Sequence, residues 1–233
     1  MKQIIAVPCD SSDKNRIFYE QFEKSLRHFH PDIELRRFDN PNPNDTDFWY
    51  RATPVIANKL FEEGYERIIK CDVDQIVLGS LDEIINDVGD YDVGVVLNDP
   101  NYPIQVWDMK WPYFNNGLVV MQSKEFVKHW ERLCFTNHFP NYQYREQDFL
   151  NMLCSDYFNY RSKILDDNKV YGEWAKPYWA QTSMEDGKVM LPTTDKPRQL
   201  CMYHSGGGNE PGKGNFRIRF PEEVVKYIDS LIK

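Results

Sequence analysis

The sequence lacks closely spaced cysteines: its five cysteines are scattered along 233 residues without any Cys-x-x-Cys spacing. Disulfide frameworks and zinc sites depend on paired or closely spaced cysteines, so this odd and dispersed set disfavours both. We therefore expect free thiols and a reducing, cytoplasmic setting. The cysteines are Cys9, Cys71, Cys134, Cys154 and Cys201.

Basic clusters and long apolar runs are also missing. No run of Lys or Arg exceeds two residues, and the formal net charge is -8 with a pI of about 5.2. The chain thus lacks the basic stripe with which general nucleic-acid binders neutralise phosphates. No segment approaches the roughly 20 apolar residues of a membrane-spanning helix. The apolar run at the N-terminus stops at Pro8, which predicts a strand rather than a signal peptide.

The sequence does contain an alternation of strand-like and helix-like segments, without repeats or flexible linkers. This alternation is typical of the α/β class, and the length fits a single domain of that class. Thr53 and Pro54 are the favoured N-cap and first-turn pair, so a helix is predicted to start there and to end at Gly64. An earlier start with a kink at Pro54 is the alternative. Strands are predicted at 4–7, 33–38, 66–71, 91–99, 116–122 and 198–204, and further helices at 14–29, 123–135, 145–154 and 220–233.

An apolar run around Ile68 and Ile69 ends abruptly in Asp72 and Asp74. Both carboxylates are therefore predicted at the carboxyl end of a buried strand, where open α/β sheets bind their ligands. An unpaired carboxylate between apolar segments is costly unless a metal, a proton or hydrogen bonds compensate it. Two carboxylates at this spacing beside a diphosphate suit Mg²⁺ or Mn²⁺. The alternative is ordinary solvated charge, since the chain has 36 acidic residues.

Five short segments follow one another in a fixed order: IIAVPCDSSDKN, DVD, FNNGLVVM, REQDFLN and HSGGGNEPGKG. They are spread over most of the chain and resemble, in this order, the motifs of nucleotide-sugar glycosyltransferases of the GT-A fold, in particular the retaining enzymes of family 8. The resemblance implies a single GT-A domain, with a nucleotide-sugar-binding half at 1–100 and an acceptor-binding half at 101–233. It also implies transfer of a hexose from a nucleotide diphosphate sugar, expected to be a UDP-sugar, to a hydroxyl of a glycan or other acceptor, with retention.

The same resemblance implies a metal site. Asp72 and Asp74 would hold Mn²⁺, or Mg²⁺, on the donor diphosphate, and His204 would be the third protein ligand. An imidazole added to two carboxylates favours Mn²⁺ over Mg²⁺. A lone histidine after an apolar strand is otherwise more often a structural group.

Other motif positions are implied to bind the donor. Pro8, Cys9 and Asp10 lie where the first strand would meet the uracil and ribose, and Val73 lies within the metal motif. Asp10 can alternatively cap the helix that begins near Lys14. The remaining positions implied to contact the donor are Arg51, Asn115, Asn116, Gly207 and Lys213.

Four of these positions can also be interpreted from their local sequence. Arg51 matches a basic residue near the donor sugar or phosphate, and its planar group suits such oxygens, although a solvated surface position is the alternative. Asn115 and Asn116 stand at the entry to a strand, which points their amides into the cleft. Lys213 would touch the departing phosphates, but it lies six positions after Gly207, more than the family pattern has, and a surface lysine is the alternative.

The segment Glu146, Gln147 and Asp148 replaces the Asp-Gln-Asp of the family. By resemblance, Gln147 lies beneath the anomeric carbon, and the two carboxylates bind donor hydroxyls or the acceptor. Glu146 departs from the family pattern and lengthens the side chain by one methylene. The alternative is an ordinary acidic first turn of a helix, stabilised by the helix dipole.

Two other functions remain open on the sequence. A phosphohydrolase of the haloacid-dehalogenase type also uses an Asp-x-Asp after an apolar strand, with Asp72 as nucleophile, but that family places the motif in its first strand. A module that binds a nucleotide sugar or glycan without catalysis is the second alternative, because a fold alone does not establish catalysis.

Overall fold

The computed structural model describes residues 1–98, 112–142, 144–156, 158–165, 176–192, 198–204 and 216–233. They form two compact units whose segments alternate along the chain. The first unit comprises Met1–Asp10, Ile33–Asp72 and Ile85–Leu165, and the second comprises Ser11–Asp32, Val73–Ile84 and Asp166–Lys233. The predicted division into halves at residue 100 stays a prediction.

The strands and helices that the sequence predicts are found, with further short elements between them. The strands are β1 (Gln3–Pro8), β2 (Leu35–Phe38), β3 (Arg67–Cys71), β4 (Gln75–Val77), β5 (Val93–Leu97), β6 (Phe114–Met121), β7 (Ser162–Ile164), β8 (Ser183–Glu185), β9 (Lys188–Leu191), β10 (Arg198–Gln199) and β11 (Met202–His204). The α-helices are α1 (Asp13–Phe29), α2 (Ala52–Glu62), α3 (Asp82–Asp87), α4 (Lys124–Cys134), α5 (Glu146–Leu153) and α6 (Glu222–Ile232).

The first unit is built on a six-stranded sheet in the order β2-β1-β3-β6-β5-β7. β1 is parallel to β2 and β3, and β5 is parallel to β7, whereas β6 runs antiparallel to both of its neighbours. Every residue of β3 is buried, the charged Arg67 and Lys70 as well as the apolar residues between and after them. Apolar side chains of α2, α4 and α5 join those of the sheet in one core. The predicted α/β class is confirmed.

Helix α2 begins at Ala52, so the earlier start is found and Thr53 is not the cap. Thr53 lies inside the first turn, and its N–H and hydroxyl both bond to the carboxylate of Glu146 instead of capping the helix. Pro54 also lies in the first turn, where its missing N–H removes no helical bond. Gly64 follows the helix with a φ of +87°, so the predicted glycine stop is confirmed.

The second unit contains α1, α6, a three-stranded sheet in the order β10-β9-β8 and the antiparallel pair β11-β4. Ser12 caps α1 by accepting a hydrogen bond from the Asn15 N–H at 3.3 Å, so Asp10 is not the cap. The single strand predicted at 198–204 is two strands, because β10 pairs with β9 while β11 pairs with β4. The apolar face of α6 is buried in the core of this unit, as the sequence predicts. In the described part of the chain, no helix combines the length and apolarity that crossing a membrane requires.

His30, directly after α1, is a buried histidine that predicts a pH-dependent stability. Its Nε2 accepts a hydrogen bond from the Leu81 N–H at 2.8 Å, which requires the neutral ring. Burial lowers the pKa of His30 below 6.5, and the carboxylate of Asp82, 3.7 Å from Nδ1, opposes that shift. A histidine whose pKa is lowered by folding stabilises the protein fully above its unfolded pKa, and this contribution is lost as the pH falls.

We therefore expect the free energy of unfolding to decrease as the pH falls below about 6.5, and the His30→Gln variant to show a shallower decrease because glutamine accepts the same bond without titrating. Urea unfolding at several pH values measures both slopes. His28→Gln, at an exposed position of α1, is the control and should keep the wild-type slope. Parallel slopes for wild type and His30→Gln would contradict the prediction.

Candidate metal and donor site

The first carboxylate of the Asp-x-Asp motif directly follows the buried strand β3. The Asp72 N–H donates to the Gly117 carbonyl of β6 at 2.9 Å, which fixes the backbone where the strand ends. The Asp72 side chain is 36% exposed, and its Oδ1 accepts a hydrogen bond from Lys70 Nζ at 2.5 Å. The predicted position of this carboxylate at a strand end is therefore found.

The second carboxylate and the histidine meet within the second unit. Asp74 directly precedes β4, and His204 is the last residue of β11, where it is paired in register with Gln75. This pairing brings His204 Nε2 to 3.1 Å from Asp74 Oδ1, and both side chains are largely buried.

One ligand atom from each of Asp72, Asp74 and His204 lies within 4.8 Å of the other two. No other group of three or more such side chains with this proximity occurs in the described ranges. Two carboxylates with one imidazole form a donor set that suits Mn²⁺ and is less suited to Mg²⁺, which prefers oxygen alone. The residues that were predicted to bind metal thus fit a divalent cation chemically.

The two predicted carboxylates of α5 are buried and bonded to protein groups. Glu146 accepts hydrogen bonds from the Thr53 hydroxyl at 2.7 Å and from Asn116 Nδ2 at 2.6 Å. Asp148 accepts from the Tyr113 hydroxyl at 2.6 Å and from the Tyr144 N–H at 2.8 Å. Burial raises the pKa of both carboxyl groups. Their contacts with donor or acceptor stay predictions. In the structure, their hydrogen bonds join α5 to neighbouring segments of the chain.

The amide side chains of this region are likewise anchored. Gln147 Oε1 accepts the Asn116 N–H at 2.9 Å, and Asn115 Oδ1 accepts the Gly117 N–H at 2.5 Å. Asn116 Oδ1 is buried and has no hydrogen-bond partner. Asn116 Nδ2 donates to Glu146, and the contacts of Asn115, Asn116 and Gln147 with the donor stay predictions.

The remaining predicted donor contacts lie on several elements. Pro8 ends β1, and Cys9 is buried, which raises the pKa of its thiol to about 11. Arg51 donates to both carboxylate oxygens of Asp45, at 2.7 and 2.6 Å, and lies over the ring of Phe135. Their contacts with the donor stay predictions, as do those of Asp10 and of the half-buried Val73. Gly207 and Lys213 lie outside the described residues.

Sequence reasoning missed two side chains that hold this region together. Lys70 is buried within β3, where it donates to Asp72 and to the Asn116 carbonyl. Asn151, buried in α5, bonds to both the N–H and the carbonyl of Phe114, the first residue of β6. In the sequence, these two roles are indicated only by a lysine inside an apolar run and by an asparagine at the end of the REQDFLN segment.

The fold matches those of solved glycosyltransferases. A glycosyltransferase involved in the glycosylation of the major capsid of PBCV-1 matches with a TM-score of 0.63, at 10% identity over 100% of both chains. The galactosyltransferase LgtC in complex with donor and acceptor sugar analogs matches with a TM-score of 0.57, at 19% identity over 96% of this chain and 99% of that one. The chain has the GT-A fold.

This GT-A chain also matches the bifunctional glycosyltransferase WbbM, with a TM-score of 0.59 and 15% identity over 90% of its own length and 46% of that chain. At these identities the likeness establishes the fold alone. No protein-family model and no curated protein sequence matches the chain. The function of this GT-A chain therefore has to be argued from its own side chains.

Proposed function

We propose that this chain is a metal-dependent glycosyltransferase that moves a hexose from a UDP-sugar to an acceptor hydroxyl with retention. The observation that carries the proposal is the cluster of Asp72, Asp74 and His204 on a GT-A fold. LgtC, which shares the fold, was solved with donor and acceptor sugar analogs. A sugar donor and a sugar acceptor are therefore the substrate classes that we assign to this chain.

The proposed mechanism requires the chain to hold a diphosphate in place. Asp72 and Asp74 would bind a divalent ion through oxygen, and His204 would bind it through nitrogen. The ion would supply positive charge against the diphosphate leaving group. Gln147 has its amide oriented by the Asn116 N–H, which suits a group that must face the anomeric carbon without reacting. Rate enhancement then rests on positioning and preorganised charge.

The buried carboxylates of α5 support retention. An inverting enzyme needs a carboxylate that accepts the proton of the acceptor hydroxyl. Glu146 and Asp148, the two candidates, both have their oxygens bonded to protein donors. In a retaining transfer the leaving phosphate oxygen accepts that proton, so neither carboxylate has to be freed.

A donor screen tests the proposal. Thermal unfolding with a panel of nucleotide sugars should show a higher Tm for UDP-sugars, and only when Mn²⁺ is present, because ligands that bind the native state stabilise it. The stabilising sugar should then be hydrolysed slowly and transferred to a glycan acceptor, and proton NMR of the first product should show an α-linkage from an α-linked donor. No stabilisation by any nucleotide sugar would refute the proposal. Stabilisation without hydrolysis or transfer would point to a binding module, and a β-linked product would refute retention.

A further inference from the structure

Lys70 is a buried cation placed against the metal motif. Lysine is rarely buried, and a buried ammonium group needs partners that compensate for lost hydration. Here the compensation is specific: Nζ lies 2.5 Å from Asp72 Oδ1 and 2.5 Å from the Asn116 carbonyl oxygen. Both partners belong to the first unit, as does Lys70 itself.

A second carboxylate lies in the same buried network. The Asn116 side chain donates to Glu146, and the positive charge of Lys70 partly offsets the effect of burial, which raises the pKa of Glu146. Lys70 therefore interacts with two carboxylates: that of Asp72, which is exposed enough to bind a ligand, and that of Glu146, which is buried.

The charge of Lys70 changes what Asp72 offers to a cation. Asp72 and Asp74 alone would present two negative charges to an incoming divalent ion, and the ammonium group on Asp72 Oδ1 cancels one of them. Because like charges repel strongly over a few ångströms in a partly buried site, Lys70 opposes binding of the cation alone. A bound diphosphate makes binding of the cation favourable again, because its negative charges attract both the cation and the ammonium group.

We infer that Lys70 is a positioning residue that makes divalent-cation binding at Asp72 and Asp74 depend on the nucleoside diphosphate. The site then takes up the cation together with the diphosphate and resists taking it up alone. This inference rests on the proposed function, because it presupposes that the cation and a nucleoside diphosphate share the site. It concerns binding free energies, so the coupling is reciprocal: the cation must strengthen diphosphate binding by the same factor.

The experiment measures the dissociation constant of Mn²⁺ by electron paramagnetic resonance of the free ion, without UDP and with saturating UDP. The ratio of the two constants is the coupling factor. In Lys70→Met we expect Mn²⁺ alone to bind about tenfold tighter and the coupling factor to fall about tenfold, within the range typical of coupled sites. Lys70→Arg keeps the charge and should keep most of the coupling.

Arg67→Met is the matched control. Arg67 is a second buried cation on β3, at its opposite end, where it bonds to Gln122 and Asn86. Removing it should lower stability and leave the coupling factor at the wild-type value. A general effect of losing a buried charge would instead change the coupling factor in both variants.

A second pair of variants tests the inference if Lys70→Met fails to fold. The double variant Lys70→Met/Glu146→Gln removes both buried charges, and the single variant Glu146→Gln is its reference. The coupling factor should again be about tenfold lower in the double variant than in its reference. An unchanged factor, or weaker binding of Mn²⁺ alone, overturns the inference. If the wild-type protein fails to bind Mn²⁺ even with UDP, the proposed function itself fails.

Discussion

Replacement of Asp74 by asparagine is expected to lower kcat/KM for sugar transfer by about 10³-fold or more, with little change in Tm. Loss of an outer partner of a metal ligand already costs about 10–100-fold, and loss of an anionic ligand should cost more. Asparagine keeps the size of the side chain and can still hydrogen-bond to His204, whose Nε2 lies 3.1 Å from Asp74 Oδ1. The fold should therefore persist while the charge that attracts the cation is lost.

Steady-state kinetics at limiting and saturating Mn²⁺, with a thermal melt of each variant, measures this effect. His204→Ala should be milder and should raise the Mn²⁺ concentration needed for half-maximal activity, since two carboxylates remain. Asp156→Asn, at an exposed position, is the control. Wild-type activity of both Asp74→Asn and His204→Ala at limiting Mn²⁺ would show that the three-ligand site is wrong.

The Asn151→Leu variant is expected to lose about 3 kcal/mol of unfolding free energy, which corresponds to a decrease in Tm of about 6–12 °C. The buried Asn151 side chain accepts from the Phe114 N–H at 2.5 Å and donates to the carbonyls of Phe114 and Gln147 at 2.9 and 2.8 Å. Leucine has a similar size and a good helix propensity, so the main loss is three hydrogen bonds and the satisfaction of buried backbone groups.

Chemical denaturation of wild type and variant gives the difference in unfolding free energy. The same substitution at exposed Asn44 is the control and should stay within about 0.5 kcal/mol. If the two leucine variants are destabilised equally, Asn151 does not fasten α5 to β6 in the way described.

The parts of this molecule that the sequence predicts are those that depend on neighbouring residues. The position of Asp72 at a strand end follows from the buried run that precedes it, and Gly64 stops α2 because a glycine accepts a positive φ at little cost. His204 was assigned as a ligand by family resemblance, because nothing in its local sequence distinguishes it from a structural histidine.

The parts that were missed depend on distant partners. Thr53 has the local features of a helix cap, but its hydroxyl and its N–H donate hydrogen bonds to the carboxylate of Glu146, 93 positions away. Lys70 interrupts an apolar pattern, and only the positions of Asp72 and Asn116 explain why a lysine can be buried there. Periodicity carries no information about such pairs, since it records which face of a segment is apolar and not which groups meet across the fold.

Because β11 pairs with β4, the position of the His204 side chain depends on the number of residues that precede it in β11 as well as on its identity. Tyr203 is opposite Ile76 and His204 is opposite Gln75, and successive side chains in a strand point to opposite faces. A single-residue insertion or deletion that shifts β11 by one position would turn the imidazole away from Asp74 and present a neighbouring side chain in its place. Such an insertion or deletion would keep Asp72, Asp74 and His204 in the sequence and still separate the imidazole from the carboxylates. When a related sequence is examined for the same site, the number of residues between β10 and the histidine is therefore more informative than the presence of the histidine alone.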